Sequence, residues 1–172
     1  KGLGGFLVRN MESYGILDTM GLTSRIVLDA NIYTMNNRAE AFWMKKGILG
    51  DTVPLELNAK ELVHRNNKNS ELTVYGYTPM MVSVQCVQKT MDHCNHACVQ
   101  YVLKDRYQKE FRGVCSCEFC YNTIYNTLPT SLLKEKEKAE KLGVKAYRLS
   151  FTIETQQETE KIVRAFVEVY LR

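Results

Sequence analysis

The chain has 172 residues, of which 45% are hydrophobic and 24% charged, with a net charge of +4. That balance is ordinary for a soluble globular protein, and no apolar run approaches the roughly 20 residues a membrane helix needs. One domain over residues 1–172 is expected, and the small basic excess tolerates an anionic partner without requiring one.

The chain opens KGLGGFLVRN, with neither an initiator Met nor a charged-then-apolar leader. A piece of a longer protein, working in the reducing cytoplasm, is therefore expected. Residues 4–9 form an apolar run fit for a buried strand, and the apolar spacing of residues 11–20 predicts a helix closed by Gly21. RIVLDA at 25–30 predicts a second strand. A helix over 38–46 ends at Gly47, residues 53–57 predict a third strand, and Asn58 caps a third helix over 59–65. The alternating run ELTVYGY at 71–77 predicts a fourth strand. Residues 101–114 carry two β-prone runs around a charged centre, the pattern of a hairpin inserted as a lid or flap. A helix over 132–142 closed by Gly143, a fifth strand in VKAYRLSF and a final helix over 155–171 complete the chain, with Thr155 and Glu158 placed for a capping box.

Strands alternating with helices predict an α/β fold of about five parallel βα units wound by right-handed crossovers. An eight-unit barrel usually needs about 250 residues, so five units fit part of such a barrel or a small open sheet. In a partial barrel the first and last strands have open edges, which predicts self-association.

Six cysteines, Cys86, Cys94, Cys98, Cys115, Cys117 and Cys120, lie within residues 86–120 and nowhere else. Thiolates three or four positions apart converge on one ion or cluster over a single turn, and without a leader metal binding is expected over disulfides. Zinc and an iron–sulfur cluster both accept four sulfurs. His93 and His96 flank Cys94 as alternative ligands or outer donors, although a polar loop accounts for both, and His64 reads as a solvated residue.

The runs ELTVYGYTPMMVSVQC, CNHAC, LKDRYQKEF and CEFCYNTIYN, together with NIYTMNNRAEAFW and GVKAYRLSFT, resemble the U32 family of collagenase-like peptidases. The resemblance covers most of the chain and implies the second part of a TIM-type barrel with an inserted cysteine-rich hairpin at 86–120, the missing strands lying elsewhere in the parent. It implies a 4Fe–4S cluster on Cys86, Cys94, Cys98 and either Cys117 or Cys120, with Cys115 extra. Members are described as proteases, while proteins similar to them hydroxylate RNA bases or the ubiquinone ring. An iron–sulfur hydroxylase acting on RNA is the expectation, with a peptidase and a zinc-stapled interaction module as alternatives.

In barrels the chemistry lies at the carboxyl ends of strands. Those ends offer Arg9, Asn10, Asp29, Asn31, Glu56, Asn58, Tyr75, Tyr77, Arg148, Thr152 and Glu154, many of them placed equally well to cap helices. Arg38, Glu56, Tyr77 and Arg148 are the substrate candidates, with Arg38 and Arg148 the expected partners of a small anion or base. No nucleophile elbow or zinc-peptidase helix motif is present in the sequence. Trp43, Phe42 and the Met80–Met81 pair read as core, and the KEKEKAEK run at 134–141 as an exposed helix face.

Overall fold

Short aliphatic and β-branched runs set the strands, and asparagines, threonine and glycines punctuate them. The computed structural model describes residues 2–92 and 94–171. In chain order the strands are β1 Phe6–Val8, β2 Ile26–Leu28, β3 Gly50–Thr52, β4 Ser70–Gly76, β5 Pro79–Ser83, β6 Val99–Lys104, β7 Glu110–Ser116, β8 Tyr121–Tyr125, β9 Thr130–Ser131 and β10 Ala146–Ser150. The α-helices are α1 Met11–Thr19, α2 Asn37–Lys45, α3 Ala59–Leu62, α4 Val87–Thr90, α5 Lys136–Glu140 and α6 Gln156–Tyr170. The chain divides into two compact units, one formed by the chain up to Val74 with Lys134–Arg148, the other by Tyr75–Leu133 with the chain from Leu149.

The first unit carries a parallel sheet in the order β1-β2-β3-β4-β10, curled into a half-barrel. This is the expected parallel βα architecture. Val8, Ile26 and Leu28 point to the helix-covered face and bury against Tyr14 of α1 and Trp43 of α2, whose rings meet edge to face at 4.8 Å. Asn10 and Asn36 cap α1 and α2 with their side-chain oxygens, and Gly21, Gly47 and Gly143 follow their helices with positive φ, as expected.

The third strand is displaced from residues 53–57 to β3. Val53 still donates its N–H to the Glu71 carbonyl, but Pro54 has no N–H to continue the ladder. Gly50 supplies the strand start because a Cβ there would stand 2.3 Å from the Asn69 carbonyl oxygen. Two helices are shorter than expected. α3 stops at Leu62 despite its capping box between Asn58 and Glu61. α5 begins only at Lys136, residues 132–135 forming a turn instead, and it buries a single residue, Ala139. Charges on and beside it pair, Lys136 with Glu140 one turn on at 3.7 Å and Lys138 with Glu135 three positions back at 2.5 Å.

Beneath α3 the Arg65 guanidinium is buried and donates to Asp51, Thr34, Asn67 and Ser70, while Asp51 also accepts from the Ser70 and Thr34 hydroxyls. Every charge in that network has a partner. Breaking it strands Asp51 in the interior, so Arg65→Ala is expected to cost about 3–5 kcal/mol. Equilibrium urea unfolding of the whole chain measures the loss.

The second unit holds an antiparallel sheet in the order β5-β8-β7-β6. The expected hairpin at 101–114 is present as β6 and β7, turned by Asp105, whose carboxylate accepts from the Tyr107 and Lys109 N–H groups. β5 and β8 flank it on one side and were not expected. Met80 and Met81 lie on β5 and are 59% and 52% exposed, and Phe42 on α2 is 55% exposed, so none is a core residue, whereas Trp43 is. β5 is an edge strand of this sheet, and its first four residues are exposed.

Helix α6 starts at the expected capping box, with Thr155 and Glu158 each accepting from the other's backbone N–H. Its Phe166 packs on Tyr75 of β4, and Tyr170 donates to the Leu132 carbonyl. The Thr155 backbone N–H and then its hydroxyl hold Glu158 below the ordinary carboxylate range, with Arg112 adding to the pull. A depressed folded-state value means stability present above the unfolded value of roughly 4.3 and lost as pH falls through the folded one. Glu158→Gln should therefore lower Tm at neutral pH, and the gap between variant and parent should close in acid. Thermal melts across that range provide the check.

Candidate metal centre

Three local features deliver the sulfurs to one end of the antiparallel sheet. A 3-10 turn at Cys117–Phe119, ended by Cys120 in a left-handed conformation, joins β7 to β8 and presents Cys117. The loop after α4 folds back through left-handed Asp92 and His96, with the Asn95 side chain accepting from the Ala97 N–H. Cys86 stands immediately before α4, and Cys115 lies within β7 between Val99 and Asn122.

The thiols of Cys94 and Cys117 and the imidazole of His96 bring one ligand atom each within 4.8 Å of one another. This Cys-His-Cys group could hold a metal ion. Deeper in the same unit, Cys86 and Cys115 place their sulfurs 3.7 Å apart, and together with Cys117 they form a buried cluster under Val99 and Tyr101. Cys120 turns its thiol toward the Cys117 carbonyl at 3.6 Å. Cys94, Cys98 and Cys120 are exposed and Cys86, Cys115 and Cys117 buried, with all six free thiols.

Backbone N–H of Lys89, supported by the Cys115 thiol and the Gln88 N–H, holds Cys86 below the ordinary thiol range against the opposing effect of burial. Burial pushes Cys115 up to about 11, with the Cys86 sulfur adding to the rise, and burial also raises Cys117, followed by Cys94, Cys120 and Cys86. Crowded sulfurs resist a second negative charge. A cation among them reverses that balance, since a coordinating thiol gives up its proton.

Of the residues singled out in the sequence, Cys86, Cys94, Cys98, Cys117 and Cys120 all fall in this unit. Cys115, set aside as extra, sits in its interior against Cys86. His96, accounted for as part of a polar loop, joins the three-ligand group, and the C-x-H spacing of Cys94 and His96 was the available signal. His93 lies outside the described residues. Arg38 and Glu56 are exposed on the first unit, and Tyr77 is half-buried in the second. Arg148 is committed to two carboxylates, pairing with Asp29 at 2.8 Å and with Glu71, while Arg9 closes on Asp29 at 3.1 Å and on Asn31. His64 gives its backbone carbonyl to Asn37.

No family model, curated protein or solved structure matches the chain. No helix among the described residues is long and apolar enough to cross a membrane.

Cys94→Ser, His96→Ala and Cys117→Ser are each expected to weaken Co2+ binding by at least the roughly 10–100-fold that even an outer-shell loss costs. Visible absorbance titration of the whole chain measures this, and an unaltered affinity in all three would dissolve the group.

Proposed function

We propose that this chain is the cluster-bearing part of an iron–sulfur enzyme of the U32 type, which modifies a base of RNA or a similar substrate, hydroxylation being the implied reaction. The observation that carries the reading is the gathering of six thiols in one unit, three of them buried. That donor set fits a 4Fe–4S cluster, which takes four thiolates. Cys86, Cys94, Cys98 and Cys117 or Cys120 would hold it, and when bound it supplies one-electron chemistry. The chain's own contribution is to keep Cys86 and Cys117 away from water, the setting that tunes such a centre.

Anaerobic reconstitution of the whole chain, with iron and sulfide analysis, tests the reading. Iron and sulfide in equal amounts are expected, lost in Cys86→Ser and Cys98→Ser and kept in Cys115→Ser. Stoichiometric zinc without sulfide would sink it.

A zinc-stapled interaction module is the second reading, favoured by one distance. Two sulfurs on a tetrahedral zinc, each about 2.3 Å from the ion, stand about 3.8 Å apart. Cys86 and Cys115 are at 3.7 Å. On that reading Cys115→Ser releases the metal. Turnover of gelatin by the chain would instead speak for the peptidase that the family name states.

We further propose that β1 and β10, which end the parallel sheet and have one strand neighbour each among the described residues, pair with further strands of a parent barrel or with a second copy. Sedimentation at tens of micromolar should show self-association. A strict monomer with both end strands protected from hydrogen exchange would refute it.

A further inference from the structure

Two requirements decide which of the six thiols can join in a disulfide. One sulfur must meet an oxidant from solvent, and a second must stand close enough to capture it. Cys86 and Cys115 are a close pair at 3.7 Å, but they are only 7% and 0% exposed, so neither offers an oxidant a ready approach. Cys98 and Cys120 are exposed, and the Cys120 thiol is turned toward the Cys117 carbonyl oxygen. Cys94 meets both requirements. It is exposed, and its sulfur lies within 4.8 Å of the Cys117 sulfur. Cys117 is buried, so the sulfur beside it is a nearer reaction partner than any solute.

A disulfide holds its sulfurs about 2.05 Å apart, so this pair has to close by at most about 2.8 Å. The two ends differ in how readily they give. Cys117 opens the 3-10 turn between β7 and β8, while Cys94 lies between α4 and β6, outside any helix or strand. Cys94 takes part in no strand ladder, and its movement breaks none.

We propose that Cys94 and Cys117 form a redox switch on the metal centre: with an ion bound they are ligands, and in the empty site hydrogen peroxide joins them in a disulfide that leaves His96 as the single member of the group. The Cys94 sulfur attacks one peroxide oxygen, the O–O bond breaks, and the hydroxide released leaves with the thiol proton as water, giving a sulfenic acid. The Cys117 sulfur then attacks the Cys94 sulfur, the S–O bond breaks, and a second water leaves with the Cys117 proton. The two thiols lose two electrons, and peroxide gains them. The disulfide itself rests on geometry alone, whereas its effect on the centre rests on the reading of Cys94, His96 and Cys117 as ligands.

The whole chain, freed of metal and treated with equimolar hydrogen peroxide, should lose two of its six thiols, and peptide mapping without reductant should find Cys94 joined to Cys117. Once peroxide is removed, Co2+ affinity should be down by at least roughly 10–100-fold, and a thiol reductant should restore it. Chain loaded beforehand with Zn2+, an ion without redox chemistry of its own, should keep both thiols through the same treatment. In Cys94→Ser, changed at an exposed loop position, Cys117 should remain a thiol. In Cys117→Ser, dimedone should capture a sulfenic acid on Cys94. A disulfide between other cysteines with Cys94 left out, Cys117 to Cys120 included, or an unchanged Co2+ affinity in the disulfide form would overturn the proposal. Co2+ binding by the reduced chain with no Cys94–Cys117 bond after peroxide refutes the switch alone, and the bond without Co2+ binding by the reduced chain refutes the switch together with the metal reading beneath it.

Discussion

Sulfur packing is the constraint on which the second unit rests. In its antiparallel sheet the buried cluster consists of Cys86, Cys115 and Cys117, with Val99 and Tyr101 packed against it. The larger aliphatic side chains of the same strands, Met80, Met81, Val82 and Val102, are exposed instead. A thiol buries far less apolar surface than a leucine, so three of them contribute little hydrophobic stabilisation to four strands. Small units of this kind are usually completed by a staple. Cys86 before α4 and Cys117 in the β7–β8 turn bring together segments far apart in sequence, and a cation held by Cys94, His96 and Cys117 would add such a staple.

The first unit solves its packing in the usual way, with aliphatic strand residues against Tyr14 and Trp43, and spends its polar groups differently. Arg65 and Asp51 fill the space under α3, where every donor and acceptor is met. On the strands, Arg148 of β10 reaches Glu71 of β4 and Asp29 after β2, and Arg9 after β1 completes the chain of charges. Two cations face two carboxylates. An anion arriving at this face would therefore compete with Asp29 and Glu71 for Arg148, so the guanidinium expected to be free for a substrate is instead part of what holds the strand ends together.

The parallel architecture was legible because its signals are local: a β-branched run, a capping asparagine or threonine, and a glycine after each helix act within a few residues. β3 was misplaced because the apolar run at 53–57 outweighed Gly50 and Asp51, and the weight of Pro54 lies in the hydrogen bond it cannot give. β5 and β8 were missed for another reason. Strands at a sheet edge or beside a cysteine turn need not alternate cleanly, and a pair of methionines reads as core wherever the partner strand is unknown. That metal ligands could gather in this segment was legible from cysteine count, but the grouping was not: Cys86 meets Cys115 across 29 positions, and His96 approaches Cys117 from a loop in which Asp92 and His96 adopt left-handed backbone.

Burial and ligation make opposite demands on a thiol, since burial favours its protonated form and a metal its thiolate. A buried thiol is a passable core residue as long as it keeps its proton, and the raised values of Cys115 and Cys117 keep it there. Cys86 is the exception, lowered by the Lys89 N–H, so within the closely spaced pair one sulfur is disposed to carry charge and the other to donate to it. Cys94, Cys98 and Cys120 are exposed. A metal ion held by Cys94, His96 and Cys117 would have two exposed ligands and one buried one. Such an ion could be approached from solvent, and its bond to the buried Cys117 sulfur would replace a proton.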